Sequence, residues 1–319
     1  MSRPPLQRFP YWHEAVLTLL LAGLLAAAWR FDPAFVSPRV QIELSMHAWE
    51  LALLALPMTF IIITGGIDLS VGSCMALCAV ALGMTFRAGA PPFAAAALAV
   101  ALGAAAGALN GVFIASVRVH PLIVTLATMA ALRGMAEGAS KAAPISGFPE
   151  GFAAVLAGDV FGLPVPALLF AALAVAAAIT LRKTPLGRSL YAMGHNETAA
   201  RFSGIAVDRI KFLIYTLSGA VAGLTAALYV ARRNTAKADV GANMELEVIT
   251  AVVLGGASIF GGRGNVPGTI LGVLLIHETR EFITWRWSKN EWNAIAIGAL
   301  LIVSVLLRQA LSPKGREEA

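Results

Sequence analysis

Apolar residues run along this chain in long stretches, and whole windows lack the polar face that a water-soluble helix or strand keeps. A bilayer requires about twenty apolar residues per span, with allowance for tilt and interfacial ends. Stretches of that kind lie near 12–29, 46–64, 70–87, 92–116, 121–138, 163–181, 211–231, 246–261, 266–284 and 291–308. The eighth carries Gly255, Gly256, Gly261 and Gly262, which predict a short or broken helix in place of a full span. The pattern predicts an all-α polytopic membrane protein of about ten transmembrane helices.

Composition agrees with that solvent. Of the 319 residues, 58% are hydrophobic and 13% charged, whereas a soluble domain carries about a quarter charged residues. The formal charge of +6 does not point to nucleic acid, because the basic residues sit between apolar runs and not on one face interleaved with aromatics. Basic residues placed this way mark cytoplasmic loops. The loop 182–211 holds Arg182, Lys183, Arg188, Arg201, Arg209 and Lys211, so it is expected to face the cytoplasm. An even number of spans then puts both termini inside, with Arg3 and Arg8 at one end and Arg308, Lys314 and Arg316 at the other. Arg232, Arg233 and Lys237 run against this bias, since they fall outside.

No stretch is polar enough for a separate soluble domain, so 1–319 reads as one transmembrane domain. Met1 to Arg8 is basic, but no small-residue cleavage pattern follows before Trp29, and the first apolar stretch reads as a retained span. Cys74 and Cys78 stand four apart inside an apolar segment, as buried thiols and not a disulfide framework or zinc site.

Three constellations carry chemistry. In the first, Thr64-Gly65-Gly66-Ile67-Asp68-Leu69-Ser70-Val71-Gly72-Ser73 is wedged between two apolar segments with hardly any loop. Its glycines free the backbone, and Asp68 and Ser70 offer acceptors where the next helix begins. Asp68 either caps that helix or sits at a broken-helix junction that lines or gates a translocation path. The second is the loop 182–211, where Asn196 caps a short helix from Glu197 through Ala199, Ala200 and Arg201, ended by Gly204. Tyr191, Phe202 and Ile205 would be left in water there unless a partner covers them. The third, Gly255 to Asn265, lacks the lysine of a nucleotide-binding loop and reads as a tight re-entrant turn with Arg263 toward the cytoplasm.

Asn110, Thr125 and Thr128 are polar residues within spans; they line a solute path or bond neighbouring backbones. Gly103, Gly107 and Gly111, like Gly264, Gly268 and Gly272, are spaced for close helix approach. His277, Glu278 and Arg280 read as an interfacial cluster. No i, i+4 histidine pair or nucleophile turn is present, so no catalytic residue, metal or cofactor is expected.

Several of these motifs resemble the ribose, rhamnose and autoinducer-2 permeases of the ATP-binding cassette importers. The likeness rests on Gly65 to Ser73, on Gly194-His195-Asn196-Glu197 with Ala199-Ala200 and Ser203-Gly204-Ile205, and on Val253 to Gly262. Gly107-Ala108-Leu109-Asn110-Gly111 and Pro121 to Thr128 match the same pattern, and the likeness runs from about 45 to 308. Ala199 to Val207 is similar to rhamnose-type members, and Leu56-Pro57-Met58-Thr59 to autoinducer-2 permeases.

The resemblance implies a multi-pass subunit of the bacterial inner membrane that moves a monosaccharide into the cytoplasm. It implies a second permease copy or paralogue, a periplasmic sugar-binding protein and a separate ATP-binding subunit. By the same resemblance Gly194, Asn196, Glu197, Ala199, Ala200, Arg201 and Gly204 belong to the ATPase coupling element. Gly65, Gly66, Asp68, Ser70, Asn110, Thr125 and Thr128 are the candidates for the translocation path or gate. The competing class is an ion-coupled carrier, which needs ionisable residues within spans; Asp68 and Arg133 are the candidates for that role.

Overall fold

The computed structural model describes residues 12–287 and, beyond them, 292, 293, 295, 296, 298–300 and 302. Long apolar helices carry the fold: α1 (Trp12–Phe31), α5 (Pro92–Ala115), α6 (Pro121–Ser140), α8 (Val165–Lys183) and α11 (Val207–Arg233). Among the described residues these 5 are long and apolar enough to cross a membrane. A sixth span arises if α2 (Pro38–Ser45) and α3 (Trp49–Ile63), bent by 58°, are counted together. The remaining helices are α4 (Val71–Arg87), α7 (Glu150–Ala157), α9 (Pro185–His195), α10 (Glu197–Phe202), α12 (Met244–Leu254) and α13 (Val266–Trp287).

Prolines start many of these helices. Pro38, Pro92, Pro121, Pro166 and Pro185 occupy first-turn positions, where no intrahelical donor is lost and φ is already helical. Helix α3 is apolar all round and buried from Leu51 to Thr59 and from Ile61 to Ile63, which makes it the central helix. Its Thr59 hydroxyl meets that of Thr269 on α13 at 2.8 Å. The outer faces of α1, α5, α6 and α8 expose Leu19, Leu98, Ile123 and Val175, side chains suited to lipid.

The glycine spacing is a packing device. Cβ atoms at Gly103 and Gly107 would overlap the carbonyls of Gly219 and Tyr215, so α5 and α11 pack backbone to backbone. Gly268 and Gly272 do the same for α13 against Gly255 and Ala251 of α12. Arg232, at the far end of α11, pairs with the buried Glu50 of α3 and so is neutralised where it stands.

One end of the bundle carries α9 and α10. At the other end, β1 (Ile145–Ser146) pairs antiparallel with β4 (Thr235–Ala236), and β2 (Asp159–Val160) with β3 (Leu163–Pro164). β1, α7 and β2 fill the interval between the fifth and sixth expected spans, β3 opens the sixth, and β4 lies between the seventh and eighth. The second expected span begins later than read, because the chain bends before Trp49. The eighth is the 11-residue α12 followed by a turn, as its glycines indicated. The tenth, 291–308, lies mostly outside the described residues, as do Arg3, Arg8, Arg308, Lys314 and Arg316.

Candidate functional site

Helix α3 ends on two glycines. The amide of Gly65 donates to Ile62 and that of Gly66 to Ile61, and Gly65 takes φ +79°, a left-handed helix stop that needs no Cβ. That termination still leaves the Ile63 carbonyl to be satisfied. The Gly262 amide satisfies it from the turn between α12 and α13, at 2.8 Å.

Three stretches that are far apart in sequence therefore meet at one junction. A Cβ at Gly194, in the last turn of α9, would overlap the Ile63 carbonyl and the Gly262 amide. Gly261 lies equally close to Gly194 and to Gly65. Tyr191 of α9 donates its hydroxyl to the Gly264 carbonyl at 2.7 Å. The turn itself is closed by Ser258 N to Arg263 O at 2.9 Å and Gly261 N to Ser258 O at 2.8 Å, with Arg263 exposed. The α1 end braces it, since Asn265 donates to Glu14 at 2.9 Å.

Past the junction the chain turns back into the bundle, and Asp68 is 2% exposed. Its Oδ1 accepts from the Ser70 amide at 2.9 Å and the Ser70 hydroxyl at 2.6 Å, and its Oδ2 accepts from Ser218 of α11 at 3.0 Å. Asn110 of α5 donates to Ser70 Oγ at 2.9 Å. Thr125 of α6 donates to the Ile67 carbonyl at 3.3 Å. Asp68 thus closes a turn on Ser70, the residue that precedes α4, without capping the helix itself, and also binds α11. The Tyr215 hydroxyl and Asn110 Oδ1 are buried beside it without a partner among the described residues. A carboxylate ringed by hydroxyl and amide donors ties the 64–70 break to three helices at once.

Of the candidate path residues, Gly65, Gly66, Asp68, Ser70, Asn110 and Thr125 come together here. Thr128 does not, because its hydroxyl bonds the Val124 and Thr125 carbonyls of its own helix. Ser218, Tyr215 and Ile63 belong to the site but were missed. Ser218 beside Gly219 on an otherwise apolar face was the available signal; Ile63 acts through its backbone and gives none.

The basic loop is a built structure. Asn196 caps α10 by accepting from Ala199 N at 2.9 Å, and Gly204, φ +83°, ends it. Arg201 bridges Glu197 at 2.9 Å and Asp208 at 2.6 Å, and Lys211 reaches Glu197 at 2.6 Å. Burial alone raises the Glu197 carboxyl, but the Lys211 and Arg201 hydrogen bonds outweigh it and hold the group below its usual value. Hydrogen bonds to Asp208 and Glu197 raise the Arg201 guanidinium further.

Ala200 is buried against Met193 and Val207 and is not a surface contact. Tyr191 and Ile205 also pack inside, which leaves Phe202, 89% exposed, as the apolar side chain this loop presents. Phe260, at the tip of the neighbouring glycine turn, is 90% exposed. His277 and Glu278 are buried within the protein, and Arg280 pairs with Glu247 at 3.0 Å. Cys74 and Cys78 are buried free thiols.

Residues 41–305 match the family described as branched-chain amino acid transport system / permease component. The chain is 35% identical to the autoinducer 2 import system permease protein LsrD of Escherichia coli K12 over 94% of its length and 93% of that protein. The same identity and coverage hold for LsrD of Shigella flexneri. LsrD of Escherichia coli O157:H7 is 34% identical over the same shares. No solved structure matches the chain. The chain belongs to the branched-chain amino acid transport system / permease component family.

Proposed function

We propose that this chain is the membrane-spanning permease subunit of an ATP-binding cassette importer in a bacterial inner membrane. It carries a monosaccharide-like solute, of the autoinducer-2 or rhamnose type, from the periplasm to the cytoplasm. In this reading the α9–α10 end faces the cytoplasm, ten helices cross the bilayer and both termini lie inside. ATP is hydrolysed on a separate subunit that grips α10, a periplasmic binding protein delivers the sugar, and a second permease subunit completes the path.

The observation that carries this reading is the junction at Ile63. The carbonyl there is bonded by Gly262, and Gly194, two residues before α10 is capped, lies against both. A displacement of α10 by a partner therefore reaches the 64–70 break and the Asp68 network through direct backbone contact, without a flexible linker. The similarity to LsrD, an import system permease, supports the same class.

The test is uptake of labelled autoinducer-2, L-rhamnose and D-ribose by vesicles holding the chain with its genomic partner subunits. Uptake of one of them is expected only with ATP and the ATP-binding subunit present. Uptake without ATP that collapses with an ion gradient would establish the carrier reading instead.

A further inference from the structure

A second non-helical segment enters the bundle from the β1–β4 end. After β4, residues 237–243 are non-helical and mostly turn, and exposure alternates along 237–240, with Lys237 and Asp239 exposed and Ala238 and Val240 buried. Arg133 of α6 anchors this segment, donating Nη1 to the carbonyl of Ala238 and, at 2.9 Å, to that of Val240. Gly241 then meets Gly72 backbone to backbone, where a Cβ on it would lie 2.7 Å from the Gly72 carbonyl oxygen. Asn243, exposed at φ +63°, leads into α12.

Depth follows from the anchor. At 1.5 Å per residue, Arg133 lies about 18 Å along α6 from Pro121 and about 10 Å from Ser140. The segment therefore descends well inside a hydrocarbon layer about 30 Å thick. Irregular backbone is tolerated at that depth only where it is buried or lines water, and charged side chains there face a polar space and not lipid. Glu137, one turn from Arg133 on α6, is also exposed. Arg133 and Lys237 stand with Glu137 and Asp239, and the half-buried Glu245 lies beside the Gly72–Gly241 contact, so the strip offers donors and acceptors of both signs.

We propose that the strip formed by Arg133, Glu137, Lys237, Asp239 and Asn243 lines the aqueous path and contacts a neutral, polyhydroxylated cargo. This rests on the permease reading and adds to it a cargo-facing wall distinct from the Asp68 network. Groups of both signs side by side suit hydroxyls, which both donate and accept, better than a solute of one charge.

The test uses cysteine scanning in the complete importer complex. The native Cys74 and Cys78 are buried, so both are replaced by alanine as background. Asp239→Cys and Asn243→Cys are expected to react with a charged, membrane-impermeant methanethiosulfonate at least ~10-fold faster than Ala238→Cys and Val240→Cys. Autoinducer-2 is expected to slow the reaction at 239 and 243, and glutamate, a charged control, is expected not to. Unreactive thiols at 239 and 243 in a complex that still takes up sugar with ATP would overturn the strip and leave the permease reading intact. Protection by glutamate alone would overturn the cargo class. Absence of ATP-driven uptake for any sugar would instead count against the permease reading, whatever the labelling pattern.

Discussion

The Ile63 carbonyl accepts from the Gly262 amide at 2.8 Å, which joins the end of the central helix to a turn 199 residues later in the chain. Gly194 fits over this bond only because it has no side chain. Gly194→Val is therefore expected to separate α9 from the junction, while membrane insertion is retained. ATP-driven uptake should fall at least ~10-fold, a loss equivalent to about 1.4 kcal/mol of coupling. Gly204→Ala, which meets open space and only backbone strain, should cost far less. Equal uptake by Gly194→Val and the native chain would show that the contact transmits nothing.

Asp68→Ala removes the acceptor of three donors, the Ser70 amide, the Ser70 hydroxyl and the Ser218 hydroxyl. Each buried donor left without a partner costs about 1–3 kcal/mol. Lower thermal stability and reduced uptake are expected together, with Asp68→Asn intermediate because one acceptor oxygen remains. Full uptake by Asp68→Ala, measured in vesicles with all partner subunits, would reduce Asp68 to a structural residue of the 64–70 turn.

Glu197 gives the basic loop a pH dependence. Its carboxyl is held below the unfolded value, about 4.3 for glutamate. A depressed acid stabilises the fold fully above the unfolded value and loses that contribution as pH falls through the folded one. Hydrogen exchange of the α10 amides should therefore accelerate on acidification below about pH 4, beyond the intrinsic pH effect. In Glu197→Gln this additional step should be absent. A step of equal size in Glu197→Gln would assign it to other groups.

Glu50 and Arg232 form a nearly buried pair, with side chains 7% and 14% exposed. Removing one partner from such a pair costs about 3–5 kcal/mol, whereas replacing both with apolar groups is often neutral. Arg232→Met should destabilise the solubilised chain more than Glu50→Leu/Arg232→Met does. Thermal melts of the two variants check this ordering.

Much of the helix layout was legible because a span in lipid must be apolar along its length, so α1, α4, α5, α6, α8, α11 and α13 stand near their expected positions. The Asn196 cap and the short α10 were equally visible, since both are set by neighbouring residues. The bend before α3 was not visible: the mixed sequence of α2, with Arg39, Gln41 and Glu43 among Val40, Ile42 and Leu44, gave no apolar stretch to mark it as part of a span. The junction was hidden for a different reason. Gly65 and Gly262 each looked like a local turn and Gly194 like part of a loop motif, and only their backbone contacts, which carry no side-chain signature, show that they form one site. Arg232 misled the charge count because its neutralising partner, Glu50, is 182 residues away. Ala200 was legible as a helix former, but that its methyl group packs against Met193 and Val207 was not.

The most direct test of the account is what touches Phe202, the exposed side chain at the end of α10. A photo-crosslinking amino acid at that position, in native membranes containing the whole importer, should form an adduct with the ATP-hydrolysing subunit. The adduct yield should change between ATP-bound and nucleotide-free states. An adduct with lipid alone, or none with that subunit in either state, would contradict the claim that a separate ATPase grips this loop.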